Sequence, residues 1–383
     1  MNMEKTSLTR SMQVTALALV AALPFDNALF HLFSFLLLFF FLVSLRSQDI
    51  GRVKKATMLA KWVHMSFLVI WAIMLITNLI NGQSEEAWRT MLQFGPRYWL
   101  LFAIFAYLLN MQIIAKSELF VAAVLGLSLH FIPYIPAMLD FSIFDNRFRG
   151  IDRNPNTAGL KAAGLLMLSI YLASYQGLVS RIRYPVAFFL GVMSLIVLLA
   201  SGNRGSWVAV SLCSVILFVA MFPKNPRLVA MISITTVLLV GFVLTQFSGP
   251  ESRLALLFEG YSAHRLDIWQ NAGQLFIERP FFGHGLDVRA ELLTPNAIYH
   301  EHNIFISVGV TMGIMGLLAY SAMLISIASL ALKFGNHFEL VMLLMMLIVG
   351  FFAYDFYRSQ LFLGHFVILA ALAVHHKSSR PAT

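Results

Sequence analysis

Four polar stretches of this chain combine residue types and spacings suited to chemistry on an anion. Arg204 stands in Ser201-Gly202-Asn203-Arg204-Gly205-Ser206-Trp207, a turn of almost no length between two apolar runs. A cation at the mouth of a helix pair, beside glycines that let another group approach the backbone, needs an anionic partner. Lipid phosphate reached by snorkelling is the plain structural alternative. The second stretch runs Arg147-Phe148-Arg149-Gly150-Ile151-Asp152-Arg153-Asn154-Pro155-Asn156-Thr157. Asn156 and Thr157 are expected N-caps and Pro155 sets the helix entry. Arg147, Arg149 and Arg153 are not needed for capping; they would add positive charge beside a helix N-terminus, which already favours phosphate.

The third stretch holds Arg265, Ile268, Trp269, Ala272, Leu275 and Phe276 at helical spacing, followed by Pro280-Phe281-Phe282-Gly283-His284-Gly285. The spacing predicts an amphipathic helix lying on a membrane or over a cavity, ended by Pro280 and turned by the two glycines. The fourth is His300-Glu301-His302-Asn303, entering an apolar run that carries Gly309, Gly313 and Gly316, positions suited to close helix packing. An imidazole there can take a proton from a hydroxyl. Glu301, Asp152, Asp267 and Asp355 are all candidates to orient it. His-x-His is also a metal-ligand spacing, but no neighbouring histidine or carboxylate cluster completes a set, so no metal and no other cofactor is expected.

The elements that must position these groups are apolar helices. Apolar residues make up 59% of the 383 positions and charged residues 12%, with a mean hydropathy of +0.78, which excludes a soluble domain. The continuous runs give about twelve segments of roughly 20 residues, each matched to a hydrocarbon core of about 30 Å. They cover residues 8–25, 28–45, 62–80, 98–115, 118–139, 157–175, 185–201, 205–222, 227–247, 303–332, 338–354 and 360–376. The expected fold is therefore all-α, a polytopic integral membrane protein forming one domain over 1–383. The first segment is read as a retained anchor. The longest polar interruption, 248–301, falls between the ninth and tenth segments. Cys213, the single cysteine, lies inside an apolar run and is read as a core residue.

Lysines and arginines in the short loops set the orientation. With the N-terminus inside, Lys5, Arg10, Lys54, Lys55, Lys116, Arg181, Lys224, Lys333 and Lys377 all fall on the cytoplasmic side, a positive-inside pattern. The formal charge of +9 is thus a topological signal, and nucleic-acid binding has little support. The opposite face carries Arg89, Arg97, Arg147, Arg149, Arg153, Arg204, Arg253, Arg265, Arg279, Arg289 and Arg358 and no lysine. Lys161, within the sixth segment, is the nearest exception. Guanidinium groups bind phosphate through two parallel donors, which lysine cannot do.

In combination these motifs resemble the O-antigen ligase and polymerase-like integral membrane glycosyltransferases. The resemblance rests on Arg149-Gly150 with Asn154-Pro155-Asn156, on Arg204 in Ser-Gly-Asn-Arg-Gly, on Arg265 with Trp269 and residues 280–285, and on His302-Asn303 with Gly313-Ile314-Met315-Gly316. It implies transfer of a glycan from an undecaprenyl-pyrophosphate donor to a sugar hydroxyl of lipid A-core, in lipopolysaccharide biosynthesis. The active site would face the periplasm from a bacterial inner membrane, among membrane lipids and without a metal. It implies Arg204 and Arg265 as pyrophosphate-binding cations, joined by Arg147, Arg149 and Arg153, and His302 or His300 as the base, with Asn156, Asn303, Glu301 and Trp269 in support. A polymerase with the same donor and a transporter of lipid-linked glycans are the competing readings.

Overall fold

The computed structural model describes residues 2–25, 27–45, 58, 60–139, 148–152, 154–174, 180–221, 234, 237, 241, 265–287, 303–353 and 360–376. These residues are helical and contain no strand. In chain order the helices are α1 (Asn2–Ala22), α2 (Asn27–Leu45), α3 (Lys61–Asn81), α4 (Glu85–Gln93), α5 (Trp99–Asn110), α6 (Lys116–Phe131), α7 (Ile135–Leu139), α8 (Pro155–Ser174), α9 (Ser180–Ala200), α10 (Arg204–Met221), α11 (Arg265–Glu278), α12 (Ile304–Phe334), α13 (His337–Ala353) and α14 (Gln360–Ala373).

Among the described residues six stretches are long and apolar enough to cross a membrane: Ala28–Leu45, Lys61–Asn81, Lys116–Leu139, Pro155–Ala173, Arg181–Ala200 and Ile304–Phe334. Shorter apolar helices cover Trp99–Asn110, Arg204–Leu217, His337–Phe352 and Phe362–Ala373. Each expected segment coincides with a helix except 227–247, of which the described residues include 234, 237 and 241, each helical, and no others. Against about twelve segments expected over the whole chain, the described residues hold six of crossing length and apolarity. Among the expected segments that fall short is α5, whose 12 residues span about 18 Å at 1.5 Å per residue, well short of a hydrocarbon core.

The helices group into two compact units, Met1–Gly126 with Trp269–Leu343 and Tyr354–Thr383, and Leu127–Ile268 with Leu344–Ala353. In the first, α1 packs on α2, α3 runs along α12, and α5 lies against α14. A Cβ on Gly126 would stand 2.2 Å from the Ala21 carbonyl oxygen, so α6 presses on α1 at backbone distance. Lys116 pairs with Glu339 at 2.8 Å, and Asn336 donates to the carbonyls of Ala373 (2.7 Å) and His375 (2.9 Å), which ties the ends of three helices together. In the second unit α8 packs against α9 and α10. Gly191 allows the close approach of α9 to α8, where a Cβ would meet the Ser169 hydroxyl at 3.2 Å.

Candidate active site

In the second unit the N-termini of α8 and α10 are joined at one end of the bundle. Gly202, at φ 58°, turns the chain between α9 and α10, and Asn203 then does three things. Its backbone N–H donates to Ser201 Oγ (3.2 Å), its Oδ1 accepts from the Ser206 N–H (3.2 Å) as the cap of α10, and its Nδ2 donates to the Asn156 carbonyl (3.0 Å) in the first turn of α8. Gly159 makes room for this contact, since a Cβ there would lie 2.6 Å from Asn203 Cβ. Asn154, and not the expected Asn156 or Thr157, caps α8: its Oδ1 accepts from the Asn156 N–H at 2.9 Å, with Pro155 at the first helical position. Proline needs no partner for its nitrogen there, so the cap lies just before Pro155, two residues earlier than Asn156.

Two of the expected arginines come to this end. The Phe148 N–H donates to the Ala200 carbonyl (3.0 Å), which pins the segment carrying exposed Arg149 beside the end of α9. Arg204 is the first residue of α10 and is half-buried. A cation at a helix N-terminus opposes the macrodipole, by about 0.3–1 kcal/mol at an exposed site, so helix formation gains nothing from it. A bound anion would be favoured by both the guanidinium and the positive end of the helix dipole. Arg147 and Arg153 lie outside the described residues.

Beneath Arg149 lies a buried polar cluster. Asp152 accepts from Lys161 of α8, and its Oδ2 lies 3.1 Å from His130 Nε2 and 3.2 Å from the Tyr134 hydroxyl. Tyr134 and His130 are themselves 3.1 Å apart. Burial alone would raise the Asp152 pKa. The hydrogen bond from His130 and the charge and hydrogen bond of Lys161 outweigh it and hold the carboxyl below its ordinary value. Gly150, at φ 56°, sits on the Tyr134 ring, where a Cβ would be 2.4 Å from Cζ. Asp152, one of the expected orienters of a catalytic histidine, thus has Lys161, His130 and Tyr134 as its partners. His130 and Tyr134 were not singled out from sequence. The available signal was Lys161 itself, a charge within an apolar helix that requires a partner.

In the first unit the residues after α11 are spliced into a broken helix. α12 is interrupted at Gly313, with φ 65° and ψ −161°, which corrects the expectation of an unbroken span with Gly313 as a packing position. Residues 280–285 occupy the break. The His284 and Gly285 N–H groups donate to the carbonyls of Val310 (2.8 Å) and Thr311 (2.9 Å), ending the first half-helix. The Ile314 and Met315 N–H groups donate to the carbonyls of Pro280 (2.7 Å) and Phe281 (3.3 Å), starting the second. The inserted backbone thus replaces the hydrogen bonds lost at the break, as apolar surroundings demand. Contact is too close for side chains: a Cβ on Gly283 would be 2.5 Å from Thr311 C, and one on Gly313 2.3 Å from the Phe281 oxygen.

The end of α3 holds the insert from its other side. Thr77 Oγ1 donates to the Phe282 carbonyl (3.0 Å), Asn81 Nδ2 to the Gly283 carbonyl (3.3 Å) and Gln83 Nε2 to the His284 carbonyl (3.1 Å). Gln83 Oε1 accepts from the Asp287 N–H (2.6 Å), and Ser84 Oγ donates to Asp287 Oδ1. His284 Nε2 lies 2.8 Å from the Leu275 carbonyl and caps the end of α11, so this histidine is a structural donor.

α11 has the expected amphipathic form. Ile268 and Ala272 are buried, Trp269, Leu275 and Phe276 half-buried, and Ile277 and Glu278 exposed. Gly309 of α12 faces Phe276, where a Cβ would find its ring at 3.5 Å. Arg265 is the first residue of this helix. His300, Glu301 and His302 lie outside the described residues, as does Asp355. Asn303, 1% exposed, accepts through Oδ1 from the N–H groups of Phe305 (2.9 Å) and Ile306 (3.1 Å) and caps α12. Among the described residues no group of histidine, cysteine, aspartate and glutamate has the clustering to hold a metal ion.

Residues 189–321 match the family model described as O-antigen ligase. The matched region holds Arg204, Arg265, residues 280–285, His300, His302, Asn303 and the break at Gly313, and ends inside α12. No curated protein matches the chain. The match supports the O-antigen ligase family, and with the apolar helices it indicates a multi-pass membrane protein resembling the O-antigen ligase and polymerase glycosyltransferases.

Proposed function

We propose that the chain whose residues 189–321 match the O-antigen ligase family is an O-antigen ligase. It would transfer a glycan from undecaprenyl pyrophosphate to a sugar hydroxyl of lipid A-core on the periplasmic face of the inner membrane. The observation that carries this reading is the Asn203–Asn156 contact, which joins two helix N-termini beside Arg204 and Arg149. It supports a site for a phosphate-bearing donor.

The step balances with few groups. The acceptor oxygen attacks the anomeric carbon and His302, or His300, takes its proton. The bond from the anomeric carbon to the pyrophosphate oxygen breaks, and its electron pair leaves on undecaprenyl pyrophosphate. Arg204 and Arg265, with Arg149, Arg153 and Arg147, stabilise the charge that accumulates there, a role in which fixed guanidinium donors need no metal. Trp269, on the same helix as Arg265, supports the donor side, and Asn156 and Asn303 hold the helix starts from which the two sets of groups project. Glu301 orients the imidazole. Attack opposite the leaving group inverts the anomeric centre.

Reconstitution in proteoliposomes with lipid-linked glycan and lipid A-core tests the reading. The expected result is metal-independent transfer that is abolished by His302→Ala and strongly reduced by Arg204→Ala and Arg265→Ala, with an inverted linkage by NMR. Elongation of the lipid-linked donor without transfer to lipid A-core would replace the ligase by a polymerase.

A further inference from the structure

We infer that Thr77 and Gln83 at the end of α3 are positioning residues for the transfer step, acting through the residues spliced into α12. The inference rests on the reading above for its catalytic half, because the first half of α12 is capped by Asn303, next in the chain to His302.

The break at Gly313 makes 304–312 a half-helix with its own C-terminal end. Its last carbonyls are closed not by the following turn of α12 but by the N–H groups of His284 and Gly285. The position of this half-helix is therefore inherited from the insert. The insert in turn is held by backbone contacts to α12 and by side chains at and just beyond the end of α3. Backbone contacts survive most substitutions, so control of the register falls to the side chains, of which Gln83 makes two hydrogen bonds to the segment and Thr77 one.

The same insert ends α11 through His284. The C-terminal end of α11, whose first residue is Arg265, and the half-helix that follows His302 thus share one junction. An unbroken α12 would satisfy its own hydrogen bonds without this apparatus. Broken helices within membranes characteristically occur where backbone and helix ends serve a site. The arrangement gives the junction a function beyond packing: it keeps two elements of the reaction in register while the rest of α12 stays a continuous span.

Purified full-length protein in proteoliposomes provides the test, with kcat and donor KM measured for Thr77→Val, Thr77→Ser and Gln83→Leu. Hydrogen exchange of the amides at 284–285 and 304–312 is followed in the same samples. Misplacement of the half-helix is expected to lower kcat by roughly tenfold to a hundredfold with donor KM within about twofold, and Thr77→Ser is expected to retain wild-type kcat. Faster exchange at 304–312 in Gln83→Leu should accompany the loss. Wild-type kcat and exchange in both Thr77→Val and Gln83→Leu would overturn the inference, as would an equal loss in Thr77→Ser. If the wild-type protein transfers no glycan, the ligase reading fails separately, and unchanged exchange at 304–312 in Gln83→Leu would then overturn the positioning claim independently.

Discussion

Lys161 reaches from inside α8 to the carboxylate of Asp152 in the turn before it, and both side chains are almost fully buried, at 3% and 7% exposed. Removing either partner strands a charge in low dielectric, at a cost of about 3–5 kcal/mol. Asp152→Asn and Lys161→Met should each lower the melting temperature sharply in detergent. The double variant should recover much of the loss, because no unpaired charge remains. Additive destabilisation would show that the pair is not the coupled unit described.

The same carboxylate gives the protein an acid-sensitive element. Its folded pKa is below the unfolded value, so its stabilisation is complete above the unfolded pKa and is lost as pH falls toward the folded one. Wild-type stability should therefore decline below about pH 4 more steeply than that of Asp152→Asn. Parallel melting curves between neutral and acid pH check the difference in slope.

Gly150 occupies the left-handed region at φ 56° and lies on Tyr134. A side chain there costs about 1–2 kcal/mol in backbone conformation and must also displace the ring. Gly150→Ala should move the neighbouring Arg149 and raise donor KM several-fold, while Tyr134→Leu in the same background should restore part of the loss. Donor titrations in the transfer assay decide it.

Arg204 should not tolerate lysine. A point charge cannot reproduce the two parallel donors that a guanidinium offers to phosphate. Arg204→Lys should therefore lose most of the activity lost in Arg204→Ala, where the fall is expected at roughly 10²–10³-fold. Near-wild-type kcat in Arg204→Lys would reduce its role to that of a diffuse positive charge.

Asn303 accepts from two N–H groups at the start of α12. Asn303→Ala should cost about 1 kcal/mol and Asn303→Asp much less, because aspartate keeps the accepting oxygen. Thermal denaturation of the two variants separates this cap from any direct role in transfer.

Residue pattern made much of this legible. The apolar runs place nearly every helix, Gly202 marks the turn before Arg204, and the spacing from Ile268 to Phe276 gives the buried face of α11. Local features of this kind depend on neighbours along the chain, through hydrogen bonds within one helix or the conformational needs of one glycine. The surroundings of the Lys161–Asp152 pair were less accessible, since His130 lies on α6 and Tyr134 in the short 3-10 turn after it, and only the demand for neutralisation is local.

The amino-acid sequence by itself therefore determined an all-helical membrane chain, the polar stretches that interrupt it and the residue types gathered in them. Tertiary structure alone decided how those stretches are used. It assigned His284 and Asn303 to caps, committed Asp152 to Lys161, and turned Gly313 from a packing glycine into the break that receives residues 280–285. The reason is that a hydrogen bond between distant segments leaves no periodic trace. A glycine required by backbone contact 30 residues away reads, in one dimension, like any glycine that lets two helices approach.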